Sequence, residues 1–381
     1  MKKFNVTGLC VPEDHYMVNI EVKKANILNL IHDRQYFTIN RARQFGKTTT
    51  LALIEKILNT TPGYICVSLT FEGVGDTVFE TEESLCNEFL AQSCESLHYN
   101  GFDCADDWID ESIRDFAALG RHISRLCKDR KIVLLIDEVD ATSSNRVFLR
   151  FLEMLRSLFL KRTNKKASTF HSVVLAGVHD IKNIKLKLVS EGVYSLHSEH
   201  EGEYNSPWNI ATDFTEDMSF SASEISTMLV EYEKDHATDM DMTAVSKEIY
   251  RFTNGYPVLV SKICKCIDEE LPTKEWSVCG VQSAVNKITF EKSVLYDDIF
   301  KNLENHKDLH DFIYGVLVSG NKKKYTLYNP VMERANTFGF ITTNSQGIVE
   351  IANKLFAIMM MNYFISKEHE AQGVSNQICN G

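Results

Sequence analysis

Short apolar runs alternate with amphipathic segments along the first half of the chain. Runs rich in β-branched and aromatic residues predict buried strands at residues 36–40, 64–70, 132–136 and 172–177. Between these runs, apolar residues recur every three or four positions, which is the spacing of one helix face. This spacing predicts helices at residues 22–31, 47–58, 81–97, 111–128 and 148–155. Strands that alternate with helices are typical of an α/β fold with a parallel sheet.

The C-terminal part of the chain has a different pattern. It predicts helices within residues 221–271, at 306–318 and at 329–338, then a β-hairpin of strands 339–343 and 348–352, then a helix at 355–364. Gly255 and Pro257 interrupt the first helical region, so it is expected to contain several short helices. The tail from Ser366 is polar and is expected to be disordered.

A phosphate-binding motif connects the first predicted strand to the helix that follows it. Arg41-Ala-Arg-Gln-Phe-Gly-Lys-Thr48 ends in the Gly-Lys-Thr half of the G-x-x-x-x-G-K-[ST] pattern, although Arg41 occupies the first glycine position. Such a loop offers backbone N–H groups to a polyphosphate, while Lys47 supplies charge and the Thr48 hydroxyl binds Mg²⁺. The predicted nucleotide contacts are Arg41, Arg43, Gln44, Phe45, Gly46, Lys47, Thr48 and Thr49. The alternative is an ordinary strand–turn–helix; Lys47 is expected to be exposed at the helix start.

Two carboxylates follow the apolar run at residues 132–136. Ligands of open α/β sheets bind at the carboxyl ends of the strands. Asp137 is therefore the predicted Mg²⁺ ligand beside Thr48, and Glu138 is the predicted catalytic residue that polarises water, with Lys47 as the second catalytic group. An Asp-Glu pair after an apolar run is common by chance, but its place downstream of Gly-Lys-Thr makes it informative. Asp140 is expected to cap the next helix.

Several further polar positions have two open interpretations each. Tyr16 either stacks on an adenine ring or packs in the core. His179 follows the strand at 172–177 and either senses a γ-phosphate or lies in a surface turn. Arg251 either reaches a phosphate from the helical region or is a solvated helix residue. The basic residues 161–166 are expected to form a solvated loop.

Composition and charge limit the class of protein. The chain has 381 residues, enough for two or three domains, with 44% hydrophobic and 24% charged residues, as in ordinary soluble proteins. A net charge of −11 argues against broad, sequence-independent nucleic-acid binding. The ten cysteines lack zinc-site spacing, so reduced thiols in a cytoplasmic protein are expected. No apolar run is long enough to predict a membrane span.

Several of these motifs together resemble one protein family. The R-A-R-Q-F-G-K-T loop, the L-L-I-D-E-V-D strand and the V-L-A-G-V-H-D strand resemble P-loop ATPases of the AAA+ superfamily, in the branch shared by origin-recognition-type and STAND ATPases. Bacterial AAA-like relatives of this branch often begin the loop with arginine, as Arg41 does here. Met218-Ser-Phe-Ser-Ala-Ser-Glu224 and Thr253-Asn-Gly-Tyr-Pro-Val-Leu-Val260 resemble segments of its helical lid. The resemblance covers about residues 15–365 and implies an ASCE-type (AAA+-like) parallel sheet, a lid and a winged helix.

The pattern and the resemblance together predict five parts. They are an N-terminal segment flanking the nucleotide site (1–35), a P-loop ATPase core (36–215), a helical lid (216–275), a winged-helix-like domain (276–365) and a disordered tail (366–381). Winged helices bind DNA in some proteins and contact protein in others. Lys322, Lys323, Lys324 and Arg334 supply positive charge, but the presumed recognition helix at about 328–338 carries Glu333 and only one arginine, which favours a protein-contact or packing role.

The sequence therefore predicts a Mg²⁺-dependent ATP-binding protein, an ATPase that acts as a nucleotide-driven conformational switch. ATP, ADP and Mg²⁺ are the expected ligands. One alternative is a DNA-associated ATPase of a mobile-element or defence system, and another is a nucleotide-binding scaffold that does not hydrolyse ATP. The sequence also allows a partner protein or self-association, but it predicts no contact with a membrane.

Overall fold

The computed structural model describes residues 1–139, 145–178, 208–214, 216–291 and 294–378, and within them the chain divides into two compact units. The first unit comprises Met1–Ile20, Ala42–Gly46 and Met218–Gly381, and the second comprises Glu21–Arg41 and Lys47–Asp217. The N-terminal segment thus groups with the C-terminal half, and the middle of the phosphate-binding loop does the same. The five-part division made from the sequence stays a prediction.

The second unit is an α/β unit. Its elements are α1 (Glu21–His32), β1 (Tyr36–Asn40), α2 (Lys47–Thr60), β2 (Tyr64–Thr70), α3 (Glu82–Tyr99), α4 (Phe116–Leu126), β3 (Lys131–Asp137), α5 (Arg146–Thr163), β4 (Ser172–Gly177) and β5 (Thr212–Asp213). The strands pair in parallel in the order β2–β3–β4–β1–β5. The predicted α/β fold with a parallel sheet is confirmed.

The register of the sheet brings the ends of three strands to one edge. Leu175 of β4 pairs with Thr38 of β1 on one side and with Ile136 of β3 on the other. β1 and β3 therefore end within one residue of each other, although β4 lies between them. Every residue of β4 is buried, as expected for a central parallel strand covered on both faces.

Some boundaries in the second unit differ from the sequence-based predictions. Asn145 caps α5, its side chain accepting hydrogen bonds from the first backbone N–H groups, and Asp140 lies outside the described residues. α5 runs to Thr163 and so includes the start of the predicted basic loop. On α1, Val22 is exposed whereas Lys23 is buried, because the aliphatic stem of a lysine can lie along an apolar surface.

The first unit is mostly helical. Its elements are α6 (Ala222–His236), α7 (Met242–Thr253), α8 (Pro257–Lys265), α9 (Val278–Thr289), α10 (Val294–Asn305), α11 (Lys307–Leu317), α12 (Pro330–Thr337), β6 (Ile341–Thr343), β7 (Val349–Ile351) and α13 (Lys354–Ile378). Ser221 and Glu224 form a reciprocal capping box that starts α6. The helices predicted within residues 221–271 are therefore present.

The predicted hairpin and the C-terminal helix are also found in the first unit. β6 and β7 pair in antiparallel, with Thr342 opposite Glu350. α13 continues to Ile378, into the segment that was expected to be a disordered tail, so that expectation differs from the structure. The winged-helix assignment stays a prediction. Across the described part of the chain, no helix has the length and apolar composition needed to cross a membrane.

Candidate functional site

The loop between β1 and α2 has two residues in the left-handed region. Gln44 has φ 62° and Gly46 has φ 74°. The left-handed conformation is roughly 1–2 kcal/mol less favourable for a residue with a Cβ. Gln44 is therefore strained here, whereas a glycine would not be. A Cβ on Gly46 would meet no atom within 4 Å, and the glycine is therefore required for its φ rather than for space.

Lys47 begins α2 and is buried, with 4% of its surface exposed. Its ammonium group donates a hydrogen bond to the Arg41 carbonyl oxygen at 3.0 Å. The expectation of an exposed lysine at the helix start is therefore wrong. The physical reason is local: the chain before α2 curls so that its carbonyl accepts from the lysine of the first turn, and the stem is covered.

Thr48 and Asp137 meet at the edge where β3 ends. The Thr48 hydroxyl donates to Asp137 Oδ2 at 2.6 Å, and the other carboxylate oxygen accepts the Glu138 N–H at 3.0 Å. Asp137 is buried, with 7% exposure. The hydroxyl and carboxylate oxygens of this pair are hard ligands, the type that Mg²⁺ prefers. The residues present therefore fit this ion.

Glu138 follows β3 directly and has φ 51°. For a residue with a branched or long side chain, the left-handed region is uncommon and is often found at functional turns. This conformation turns the chain sharply at the end of the strand, so Glu138 and Asp137 belong to the same sheet edge. The catalytic role of Glu138 and Lys47 stays a prediction.

Arg41, at the first glycine position of the motif, is held by hydrogen bonds within the second unit. Its backbone N–H donates to the Gly177 carbonyl at 3.1 Å, which extends the pairing of β1 with β4. Its guanidinium donates to the carbonyl oxygens of Asn40 and Glu216. Burial lowers the pKa of Arg41 from its usual value. The arginine thus supports the base of the loop, and a phosphate contact by it stays a prediction.

The other loop residues divide between the two units. In the first unit, the exposed guanidinium of Arg43 lies 3.9 Å from the Asp298 carboxylate, and the Phe45 ring lies 4.4 Å from the Tyr256 ring. In the second unit, Thr49 lies half-buried in the first turn of α2. Their nucleotide contacts, like that of Gln44, stay predictions.

Tyr16 lies in an aromatic cluster of the first unit. Its ring is 5.0 Å from Phe4 and 5.2 Å from Tyr232, and only 2% of the residue is exposed. Its hydroxyl donates to Asp235 at 2.8 Å. Burial and this carboxylate raise the pKa of the phenol. The packing alternative accounts for this location, and the adenine contact of Tyr16 stays a prediction.

The remaining candidates are an arginine, a histidine and the C-terminal basic group. The Arg251 guanidinium donates to the Glu248 carboxylate at 2.7 Å, so its charge is paired within α7. His179 lies outside the described residues. Arg334 is paired with Asp308 at 3.0 Å, and the Lys323 ammonium lies 5.1 Å from the centre of the Phe312 ring. Two of the four expected cationic groups are thus engaged by the chain itself.

Two residues that touch the loop were not singled out from the sequence. The Tyr256 hydroxyl donates to the Arg43 carbonyl at 2.7 Å, and the turn at Gly339 approaches Ala42. Tyr256 lies in the segment that resembles part of a helical lid, but neither periodicity nor motif spacing marks it. Contacts between residues so distant in sequence become visible only in the folded chain.

Comparison with known proteins supports the fold. A family model described as the AAA-like domain matches residues 13–362. The Walker-type ATPase paby2304 of Pyrococcus abyssi is a similar solved structure: its TM-score is 0.58 at 10% identity, and the match covers 94% of this chain and 99% of that one. No curated protein matches this sequence.

Two other solved structures are similar at lower TM-scores. The ORC2 protein of Aeropyrum pernix has a TM-score of 0.46 at 11% identity, with 92% of this chain and 93% of that chain covered. The RuvB Holliday junction branch migration motor of Thermotoga maritima has 0.42 at 14% identity, with 87% and 92% covered.

The match to the family model extends over most of the chain and includes the loop, the acidic strand and the helical C-terminal half. The sheet is parallel, and the Gly-Lys-Thr motif follows β1 and forms the start of α2. On this evidence the chain belongs to the family of AAA-like domains.

Proposed function

We propose that this chain binds Mg²⁺–ATP through the loop at residues 41–49 and hydrolyses it to ADP, changing conformation between the two nucleotide states. One observation carries the proposal: the Thr48 hydroxyl donates to the Asp137 carboxylate at 2.6 Å. This pairs the last residue of the phosphate motif with the acid that ends β3. The AAA-like family membership and the fold likeness to a Walker-type ATPase support it.

The proposed chemistry is transfer of a phosphoryl group to water. Lys47, released from the Arg41 carbonyl, places its charge on the β- and γ-phosphates. Thr48 and Asp137 hold Mg²⁺, which neutralises phosphate charge when it is bound. Glu138 orients the attacking water and accepts its proton. Positioning and charge neutralisation supply most of the catalysis in such reactions, so these groups are sufficient in kind.

Calorimetric titration of Mg²⁺–ATP tests the binding step, with Lys47→Met as the variant. Methionine keeps the volume of the buried stem and removes the charge, so the fold is preserved. We expect affinity to fall by about 10- to 100-fold, since one charged hydrogen-bond donor to phosphate is lost. Lys56→Met, an exposed lysine on the same helix, is the matched control and should bind as the wild type does. Equal binding by Lys47→Met and wild type would contradict the loop assignment.

A turnover assay distinguishes the switch from its alternatives. Phosphate release by the wild type with Mg²⁺–ATP supports hydrolysis, and its absence would favour a nucleotide-binding scaffold. Stimulation by added DNA would favour the DNA-associated ATPase. Mass measurement with ADP and with ATP reports self-association that depends on the nucleotide.

A further inference from the structure

The segment Ala42–Gly46 is packed within the first unit. Tyr256, which precedes α8, is 4% exposed, and its hydroxyl donates to the Arg43 carbonyl oxygen at 2.7 Å. The ring of Tyr256 also lies 4.4 Å from that of Phe45. Burial raises the pKa of the phenol, so the hydroxyl stays protonated and able to donate. One side chain therefore contacts the loop through both its polar end and its ring.

A second contact comes from the turn before β6. Gly339 has φ 71°, and a Cβ placed on it would lie 2.8 Å from the Ala42 Cβ. That Cβ would also lie 3.7 Å from the Tyr256 ring and 3.8 Å from the Phe45 ring. Glycine is therefore required here by its conformation and by the close approach of the loop. The position admits no side chain unless the loop moves.

The hydrogen bond from Tyr256 determines the orientation of one peptide group. In a trans peptide the carbonyl and the next N–H point in opposite directions within one plane. Holding the Arg43 carbonyl on Tyr256 therefore directs the Gln44 N–H to the opposite side of the chain. Backbone N–H groups of such a loop are the donors that bind phosphate. Gln44 is also strained at φ 62°, so its peptide needs support from outside the loop.

We propose that Tyr256 is a positioning residue of the nucleotide site, which orients the Arg43–Gln44 peptide so that the Gln44 N–H is presented to phosphate. The turn at Gly339 completes this support by holding Ala42. The inference rests on the proposed function, because the consequence of a well-oriented loop is tighter nucleotide binding. Neither Tyr256 nor Gly339 is proposed to take part in the transfer of the phosphoryl group.

Tyr256→Phe tests the proposal because it removes the hydroxyl and keeps the ring. We expect Mg²⁺–ATP to bind about tenfold more weakly, as for loss of one buried hydrogen bond, with kcat at saturation little changed. Tyr232→Phe is the matched control. Its hydroxyl is in the same unit, equally buried, and donates to Asp268 at 2.7 Å rather than to the loop. This control should lose stability without losing nucleotide affinity.

A second pair of variants keeps the test independent of the tyrosine. Gly339→Ala should weaken Mg²⁺–ATP binding because its new methyl group pushes on Ala42. Adding Ala42→Gly in the same chain removes the Ala42 Cβ, with which the new methyl group clashes, and should restore part of the affinity. Weaker binding without rescue would mean that Gly339→Ala acts through the strain of its own backbone at φ 71° and not through Ala42, and would contradict the support of the loop by this turn.

The possible failures are distinguishable. Wild-type affinity in Tyr256→Phe, or equal losses in Tyr256→Phe and Tyr232→Phe, would overturn the positioning role and leave the proposed function standing. Failure of the wild type to bind Mg²⁺–ATP would overturn the proposed function, and the inference would fall with it. A drop in kcat with an unchanged dissociation constant would also contradict the inference, since Tyr256 would then act on the chemical step.

Discussion

Single residues at the end of β3 have different surroundings although they are adjacent. Asp137 is buried and accepts hydrogen bonds from Thr48 and from the Glu138 N–H. Glu138 is partly exposed and sits in a left-handed turn. Two neighbouring carboxylates with such different environments suit two roles, one in holding an ion and one in proton transfer. Variants of each should therefore fail in different ways.

Glu138→Gln should separate hydrolysis from binding. Glutamine keeps the size and hydrogen bonding of the side chain but removes the charge that accepts a proton from water. We expect turnover to fall by about 10²–10⁴ while Mg²⁺–ATP still binds, as measured by phosphate release and calorimetry. Asp137→Asn should instead weaken Mg²⁺-dependent binding itself. The control is Glu95→Gln on α3, an exposed glutamate. Unchanged turnover in Glu138→Gln would remove Glu138 from the catalytic role.

At the scale of elements, the tight connection between α7 and α8 organises the helical region of the first unit. Asn254 has φ 46° and Gly255 has φ 73°, and both are left-handed. The Gly255 carbonyl accepts a hydrogen bond from the Phe220 N–H at 2.8 Å, just before α6 begins. Three helices thus meet at this turn. The same turn positions Tyr256 for its contact with the Arg43 carbonyl.

Gly255→Ala should strongly destabilise this unit. A Cβ here would lie 1.9 Å from the Phe220 carbonyl oxygen, which is backbone and cannot swing away. We expect a loss of about 3 kcal/mol or more, measured by urea unfolding. Gly320→Ala is the matched control, because φ is 66° there and a Cβ meets no atom within 4 Å. It should lose only about 1–2 kcal/mol from backbone strain. Equal losses in the two variants would show that the close approach does not matter.

At the scale of the whole molecule, we expect stability to depend on pH through a histidine that is buried without charge. His171, immediately before β4 in the second unit, is 8% exposed. Burial, with a smaller contribution from Arg34 and Lys131, lowers the pKa of His171 to about 4. In the unfolded chain His171 has the ordinary histidine pKa of about 6.5, whereas in the folded chain it binds a proton only near pH 4. The unfolded state therefore binds more protons between these values, and stability falls as the pH drops.

His171→Phe should flatten this pH dependence. Phenylalanine preserves the edge contact with the Tyr64 ring, at 5.3 Å between centroids, and does not titrate. The wild type should lose about 1 kcal/mol more than the variant between pH 7.5 and pH 5, after allowance for solvent screening. Denaturant midpoints at the two pH values measure the difference. Parallel pH profiles for the two proteins would show that His171 titrates normally in the folded state.

The sequence by itself determined the local structure and predicted the class of the site. Strand positions and the helix after the loop follow from hydrophobic periodicity, which depends on neighbours within a few residues. The order of Gly46-Lys47-Thr48 and the Asp137 strand predicted a P-loop fold, because motif chemistry requires a strand before and a helix after the loop. The sequence showed the positive charges of Lys322–Lys324 and Arg334, but it did not show that Arg334 forms an ion pair with Asp308.

Only the tertiary structure decided which distant residues meet. The place of β4 between β1 and β3 and the hydrogen bond from Tyr256 to the Arg43 carbonyl join positions far apart in the chain. The burial of Lys47 was also decided by the fold, since the sequence predicted an exposed side chain. Periodicity reports which face of an element is apolar, but the packing of several elements at once determines what that face contacts. For the same reason the sequence predicts Gly339 at the start of a strand, whereas in the fold it lies in the turn before β6, close to Ala42 of the phosphate-binding loop.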